Sequence, residues 1–254
     1  MAHRNPLVVL ATIILFLSIL SFAAAHAQSP AVVNGPDAPA VVGSDGHPGY
    51  YVIGGVSLDP ARYPIAGDLY YVHWSNVNPA PGQYAWNVID SYLAEHAVGG
   101  KKVGLAFTVY EGHQAGGIIA MPQWARRDGP VGDDNATIVT ASNGWQLPRY
   151  WTSGYYNAYA PFVMALGARY RNDSRVAWIG MGVGTWGETR PSENEDEPVL
   201  LQHGLTSQMW VDFVNRITDL YIRAFSEGGV IKKPLLLQNG PFYLEGWERR
   251  EFSV

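Results

Sequence analysis

Glu188 is the residue whose setting most suggests chemistry. The apolar run 176–183 leads into Gly184-Thr185-Trp186-Gly187-Glu188. A glycine before the carboxylate permits tight backbone geometry. The tryptophan before that would screen the carboxyl from water, which suits a general acid. Other apolar runs also lead into polar and aromatic groups. Trp74, Ser75, Asn76 and Asn78 end or follow 69–74, and Tyr110, Glu111, Gly112 and His113 end or follow 102–110. Gln238, Asn239 and Tyr243 end or follow 234–239. Few carboxylates, several amides and many rings make the inventory of a sugar site. Planar faces cover the sugar ring, amides bind hydroxyls, and one acid protonates the leaving oxygen. Glu188 is therefore the candidate catalytic residue, with Trp74, Asn76, Glu111, His113, Trp186 and Asn239 as candidate substrate contacts.

Other residues have plainer readings. His73 and His113 follow adjacent runs, but no His-x-His and no third spaced ligand accompanies them, so hydrogen bonding is expected rather than metal binding. No metal and no cofactor are expected. Glu193-Asn194-Glu195-Asp196-Glu197 lacks the glycine and ligand spacing of a calcium loop and reads as a solvated acidic loop. Trp124, Trp145 and Trp151 are loop anchors or additional subsites.

These groups need a scaffold that gathers them. Apolar runs at 51–58, 69–74, 102–110, 176–183 and 234–239 read as strands. Between them, helical periodicity covers 86–98, 157–170 and 209–224. The first of these helices should stop at Gly99-Gly100 and the last at Gly228-Gly229. Pro161 should lie in the first turn of the middle helix, because a proline further in removes a backbone hydrogen bond. The stretch 111–152 reads as one long loop without regular structure, the kind that is usually functional. Alternation of strand and helix predicts a parallel α/β sheet. No Gly-x-Gly-x-x-Gly follows the first strand, which removes the main argument for a nucleotide fold. The unit lengths and elaborate loops favour a (β/α)8 TIM barrel, whose active site lies at the C-terminal ends of its strands. Five strands are legible, so the barrel is expected to be incomplete, with about five of eight units present.

The chain has 254 residues, a net charge of −5, 47% hydrophobic and 15% charged residues, nine Trp, fifteen Tyr and no Cys. This excludes a disordered chain or a coiled coil, and the acidic balance argues against a nucleic-acid partner. Without cysteine there is no disulfide framework, so stability must come from a packed core. Arg4, the apolar run 7–25 and Ala25-His26-Ala27 read as a signal peptide over 1–27, cleaved after Ala27, with an uncleaved membrane anchor as the alternative. Residues 28–49 read as a linker or extended lead-in, and 50–254 as the partial barrel. The expected location is secreted or extracytoplasmic.

Two motifs carry a family resemblance. Trp74-x4-Pro79-x2-Gly82-x-Tyr84-x-Trp86-x2-Ile89-Asp90 resembles the second strand, loop and helix of clan A glycoside hydrolases. It is most similar to the β-galactosidase-type enzymes of glycoside hydrolase family 42 and their relatives. Tyr159-x2-Phe162-Val163-x-Ala165-Leu166-Gly167-x-Arg169-Tyr170, followed by Asp173-x-Arg175-Val176, resembles the helix before their fourth strand. The resemblance implies a retaining hydrolase of O-glycosidic bonds in an oligo- or polysaccharide, with Glu188 in the place of the acid/base. Two departures stand out. Gly187 replaces the asparagine that normally precedes the acid/base, and the nucleophilic glutamate of strand seven would fall beyond Val254. Only Glu111 and Glu245 are other nearby carboxylates, so this stretch alone carries half a site and should be inactive. The alternatives are a non-catalytic carbohydrate-binding barrel or truncated pseudoenzyme, and a scaffold whose aromatics are simply core.

Overall fold

The computed structural model describes residues 47–53, 62–63, 65–112, 117, 119–193 and 195–240. The leader, most of the lead-in, the second half of the first expected strand, His113, Tyr243 and Glu245 lie outside the described residues. The elements in chain order are β1 (Tyr50–Ile53), β2 (Ile65–His73), α1 (Trp74–Val77), α2 (Asn87–His96), β3 (Lys102–Thr108), β4 (Ile138–Thr140), β5 (Gln146–Pro148), α3 (Ser153–Tyr170), β6 (Val176–Gly180), α4 (Glu197–Gln202), α5 (Ser207–Phe225), β7 (Ser226–Glu227), β8 (Val230–Ile231) and β9 (Leu235–Leu236).

β1, β2, β3, β6 and β9 form a five-stranded sheet in that order, with every pair parallel. The chain is thus an α/β protein. Spatial order follows chain order without the reversal that marks a doubly wound sheet. Register carries rows of side chains across the strands. One row runs Tyr71, Ala106, Gly180, Leu236, and the row beneath it runs Ile53, Leu69, Gly104, Trp178. Side chains alternate between the faces of a strand, so the two faces differ sharply. On one, Val72, Val103, Leu105, Phe107 and Ile179 are at most 1% exposed and share a core with Leu93, Phe162, Val163, Leu166, Phe213 and Ile217 of the helices. On the other, Leu69, Tyr71 and Trp178 are half-buried and Leu236 is 46% exposed.

Helix patterning explains the covered face. In α5, Trp210, Phe213, Val214, Ile217, Leu220, Tyr221 and Ala224 recur at three- and four-residue spacing and all are buried. Thr206 caps that helix by accepting from the Met209 N–H, and Thr152 caps α3 by accepting from Tyr155. α3 begins at Ser153, earlier than expected, so Pro161 lies inside it. Its ring is on the exposed face, and Asn157, whose carbonyl would receive the missing bond, is also exposed to water. α5 ends at Phe225, before the glycine pair. Gly228-Gly229 instead forms the two-residue turn joining β7 to β8.

The long segment after β3 is more ordered than its composition suggests. It contains a 3-10 turn at Gln123–Ala125 and the antiparallel pair β4–β5. Thr137 Oγ1 donates to the Ala125 carbonyl at 2.5 Å, tying the pair to the turn. Three-residue strands are too short to show a period in sequence.

Candidate active site

Parallel strands place their C-terminal ends together. The residues brought to that end are His73 from β2, Glu111 beyond β3, Trp186 and Glu188 beyond β6, and Gln238 and Asn239 beyond β9. Isolated bridges extend the pairing past the strands, from Tyr110 to Thr185 and from Glu188 to Gln238. A cavity of about 320 Å³ opens on the half-buried face beneath this end. It is lined by Leu69, Tyr71, Trp178, Trp186 and Leu236, among others, and Ala106 and Gly180 leave its centre empty.

Glu188 is held by two polar groups. Gln238 Nε2 donates to its Oε1 at 2.7 Å, and Arg190 Nε lies 2.7 Å from its Oε2. The side chain keeps 18% exposure, so water and small ligands reach it. Tyr71 senses this carboxylate: burial raises the pKa of its hydroxyl, and the charge of Glu188 raises it further. Gly240 makes the room, since a Cβ there would lie 2.5 Å from Glu188 Oε2.

The turn before Glu188 explains the departure at Gly187. The Glu188 N–H donates to the Thr185 carbonyl at 2.9 Å, and φ is 59° at Trp186 and 78° at Gly187. Positive φ at both central positions is the signature of a type I′ turn. Trp186 is the only non-glycine residue with positive φ among the described residues, a conformation costing about 1–2 kcal/mol. Its N–H is fixed to the Tyr110 carbonyl at 2.9 Å, and its side chain lines the cavity. A Cβ at position 187 would stand 2.8 Å from the Phe107 carbonyl oxygen, so the expected asparagine has no room there.

The other expected contacts divide. Asn76 is exposed on α1, and Asn239 is exposed with its Oδ1 accepting from Thr189 Oγ1 at 3.0 Å. Glu111 is paired with His73, its Oε1 2.5 Å from Nε2. Trp74 is not a sugar platform. It is 0% exposed, donates from Nε1 to Asn78 Oδ1 at 2.9 Å, and meets Trp124, Tyr155 and Tyr159 edge-on. It begins a helix rather than ending a strand, and that turns its ring into the core. Trp124 anchors its loop by donating to the Asn78 carbonyl at 2.8 Å.

The acidic run is not a solvated loop either. Glu193 and Asp196 are 6% and 4% exposed, and Tyr110 Oη donates to Asp196 Oδ2 at 2.8 Å. Burial, then Asp196 itself, holds the Tyr110 hydroxyl protonated far above its usual range. The contact pins the segment after Glu188 to the end of β3. Among the described residues, no three His, Asp or Glu side chains converge as metal ligands would. Tyr71, Arg190 and Gly240 were not among the expected site residues, whereas Gln238 was expected at a strand end and His73 as a hydrogen-bonding residue. Tyr71 and Gly240 act through Glu188, which is distant from both in sequence, so neither type nor spacing marks them, whereas Arg190 lies two positions from the carboxylate it meets. Only the parity of β2, which places Tyr71 and His73 on one face, was readable.

No protein-family model matches this chain, and no match was found among curated proteins.

Proposed function

We propose that this chain forms the first five units of a (β/α)8 barrel in an exported glycoside hydrolase, related to clan A and most similar to its family 42 enzymes. Glu188 protonates the glycosidic oxygen and then activates water. A second carboxylate, on a strand beyond β9, completes a retaining pair, whose members stand about 5 Å apart. The carrying observation is Glu188 itself. It follows the fourth strand of a parallel sheet whose spatial order equals its chain order, at the mouth of a cavity lined by Tyr71, Trp178 and Trp186. The second sheet face, only half-buried at Leu69, Tyr71 and Trp178, supports the same reading, because parallel sheets are normally covered on both faces and in a barrel the inner one fills.

Asn76, Trp186 and Asn239 contact the oligo- or polysaccharide in this reading. The leader 1–27 directs export, and it acts as a membrane anchor if it is retained. Among the described residues no helix is long and apolar enough to cross a membrane.

The test is Glu188→Gln in the complete product of the reading frame, assayed on 4-nitrophenyl β-D-galactopyranoside and β-D-glucopyranoside. Removal of a general acid/base should slow turnover about 10²–10⁴-fold while glycoside binding persists. Unchanged turnover overturns the assignment. Binding without turnover in the wild type gives the carbohydrate-binding reading instead, which Gly187 in place of asparagine favours.

A further inference from the structure

His73 was expected to hydrogen-bond to substrate or structure rather than to bind a metal, and its position and partner set it apart. On β2, Leu69 and Tyr71 line the cavity, and His73 is the next residue on the same face. It is also the last residue of the strand, so it stands at the mouth, in register with Thr108. Its Nε2 is 2.5 Å from Glu111 Oε1, and the two side chains are 28% and 16% exposed. A carboxylate on one ring nitrogen fixes the orientation and hydrogen-bonding role of the whole imidazole.

We propose that His73 is a substrate-contacting residue of this mouth and that Glu111 is its positioning residue rather than a sugar ligand. With Nε2 committed to Glu111, Nδ1 is the atom that meets a hydroxyl of the bound glycoside. The ligand is the neutral, hydroxyl-rich sugar of the proposed glycoside site. This inference rests on the reading of the mouth as a glycoside site.

The test follows intrinsic tryptophan fluorescence while methyl β-D-galactopyranoside or methyl β-D-glucopyranoside is added, since Trp186 lines the cavity. Wild type, His73→Ala, His73→Gln and Glu111→Gln are compared. Loss of a hydrogen bond from an imidazole held by a carboxylate should weaken binding about tenfold to a hundredfold in His73→Ala. His73→Gln should recover part of it, and Glu111→Gln should fall between. Binding by His73→Ala equal to wild type overturns the inference while leaving the glycoside site standing. No response of the wild type to either sugar overturns both. A second measurement reads the ¹⁵N signals of the His73 ring in the wild-type protein, assigned by their absence in His73→Gln. Glu111→Gln should change the tautomer balance before any sugar is added, and sugar should shift Nδ1, a sugar-dependent response that a merely structural role would not produce. An unmoved ring signal at saturating sugar overturns the contact.

Discussion

Gln238 Nε2 donates to Glu188 Oε1 at 2.7 Å, joining the turn after β6 to the end of β9 through side chains as well as backbone. The neighbouring backbone is fixed on both sides. Thr189 N–H donates to the Gln238 carbonyl at 2.9 Å, and Trp210 Nε1 of α5 donates to the Thr189 carbonyl at 2.8 Å. A carboxylate held this way loses little freedom on meeting a ligand, which is what preorganisation requires.

Gly240 tests that arrangement with one methyl group. In Gly240→Ala the new Cβ would sit 2.5 Å from Glu188 Oε2 and 2.9 Å from its Cβ. The carboxylate must swing away from Gln238. Stability should fall by only about 1 kcal/mol, because most of the clash is with a movable side chain. Glycoside-dependent fluorescence, or turnover in the complete enzyme, should fall at least tenfold. A variant that melts like wild type and binds like wild type shows that Glu188 need not be held.

Gly187→Ala should behave in the opposite sense. At φ 78° a side chain is strained, and its Cβ would meet the Phe107 carbonyl 2.8 Å away, against backbone that cannot yield. A loss of about 1–3 kcal/mol is expected by urea denaturation. Trp186→Asn separates turn from ring. Asparagine tolerates positive φ, so stability should hold within about 1 kcal/mol while the sugar response disappears.

Trp74 distinguishes core from platform. Its ring is fully buried against Trp124, Tyr155 and Tyr159. Trp74→Phe leaves Asn78 Oδ1 without its donor and removes ring volume, a cost of about 2–4 kcal/mol. Below its lowered melting temperature the variant should bind glycoside with wild-type affinity. Weakened binding by folded protein would restore the platform.

How far the sequence spoke depends on the range over which each signal acts. The helical face of α5, spaced from Trp210 to Ala224, needs only local periodicity, and all five strand positions were legible for the same reason. Glu188 was visible because its own neighbours, Trp186 and Gly187, are unusual. Trp74 misled because a strand ending one residue earlier changes which way a ring points. Glu193 and Asp196 misled because five polar residues in a row look solvated until Tyr110, 86 positions from Asp196, supplies it with a donor. The pairs His73 with Glu111 and Glu188 with Gln238 depend on sheet register, which one chain's composition does not encode.

The tyrosines give a pH dependence whose sign follows from burial. Tyr92 has its hydroxyl pushed up to about 12, first by burial and then by Asp68, Tyr70 and Glu95. Tyr221, enclosed beside Tyr159, is likewise raised to about 12 by burial. A tyrosine with a folded-state pKa above its unfolded value near 10 binds its proton more tightly when folded. Its contribution is complete below pH 10 and is lost as pH rises to about 12. Stability measured by urea midpoint should therefore decline across that window, with tyrosinate absorbance lagging in the folded protein and appearing in full on unfolding. Tyr92→Phe checks the assignment. Tyr92 Oη is buried with no hydrogen-bond partner among the described residues, so its removal should stabilise the protein at neutral pH, by up to about 1 kcal/mol. The variant should also decline less steeply between pH 10 and 12, having one proton fewer to lose. An unchanged slope would place the alkaline sensitivity in Tyr221 and its neighbours instead.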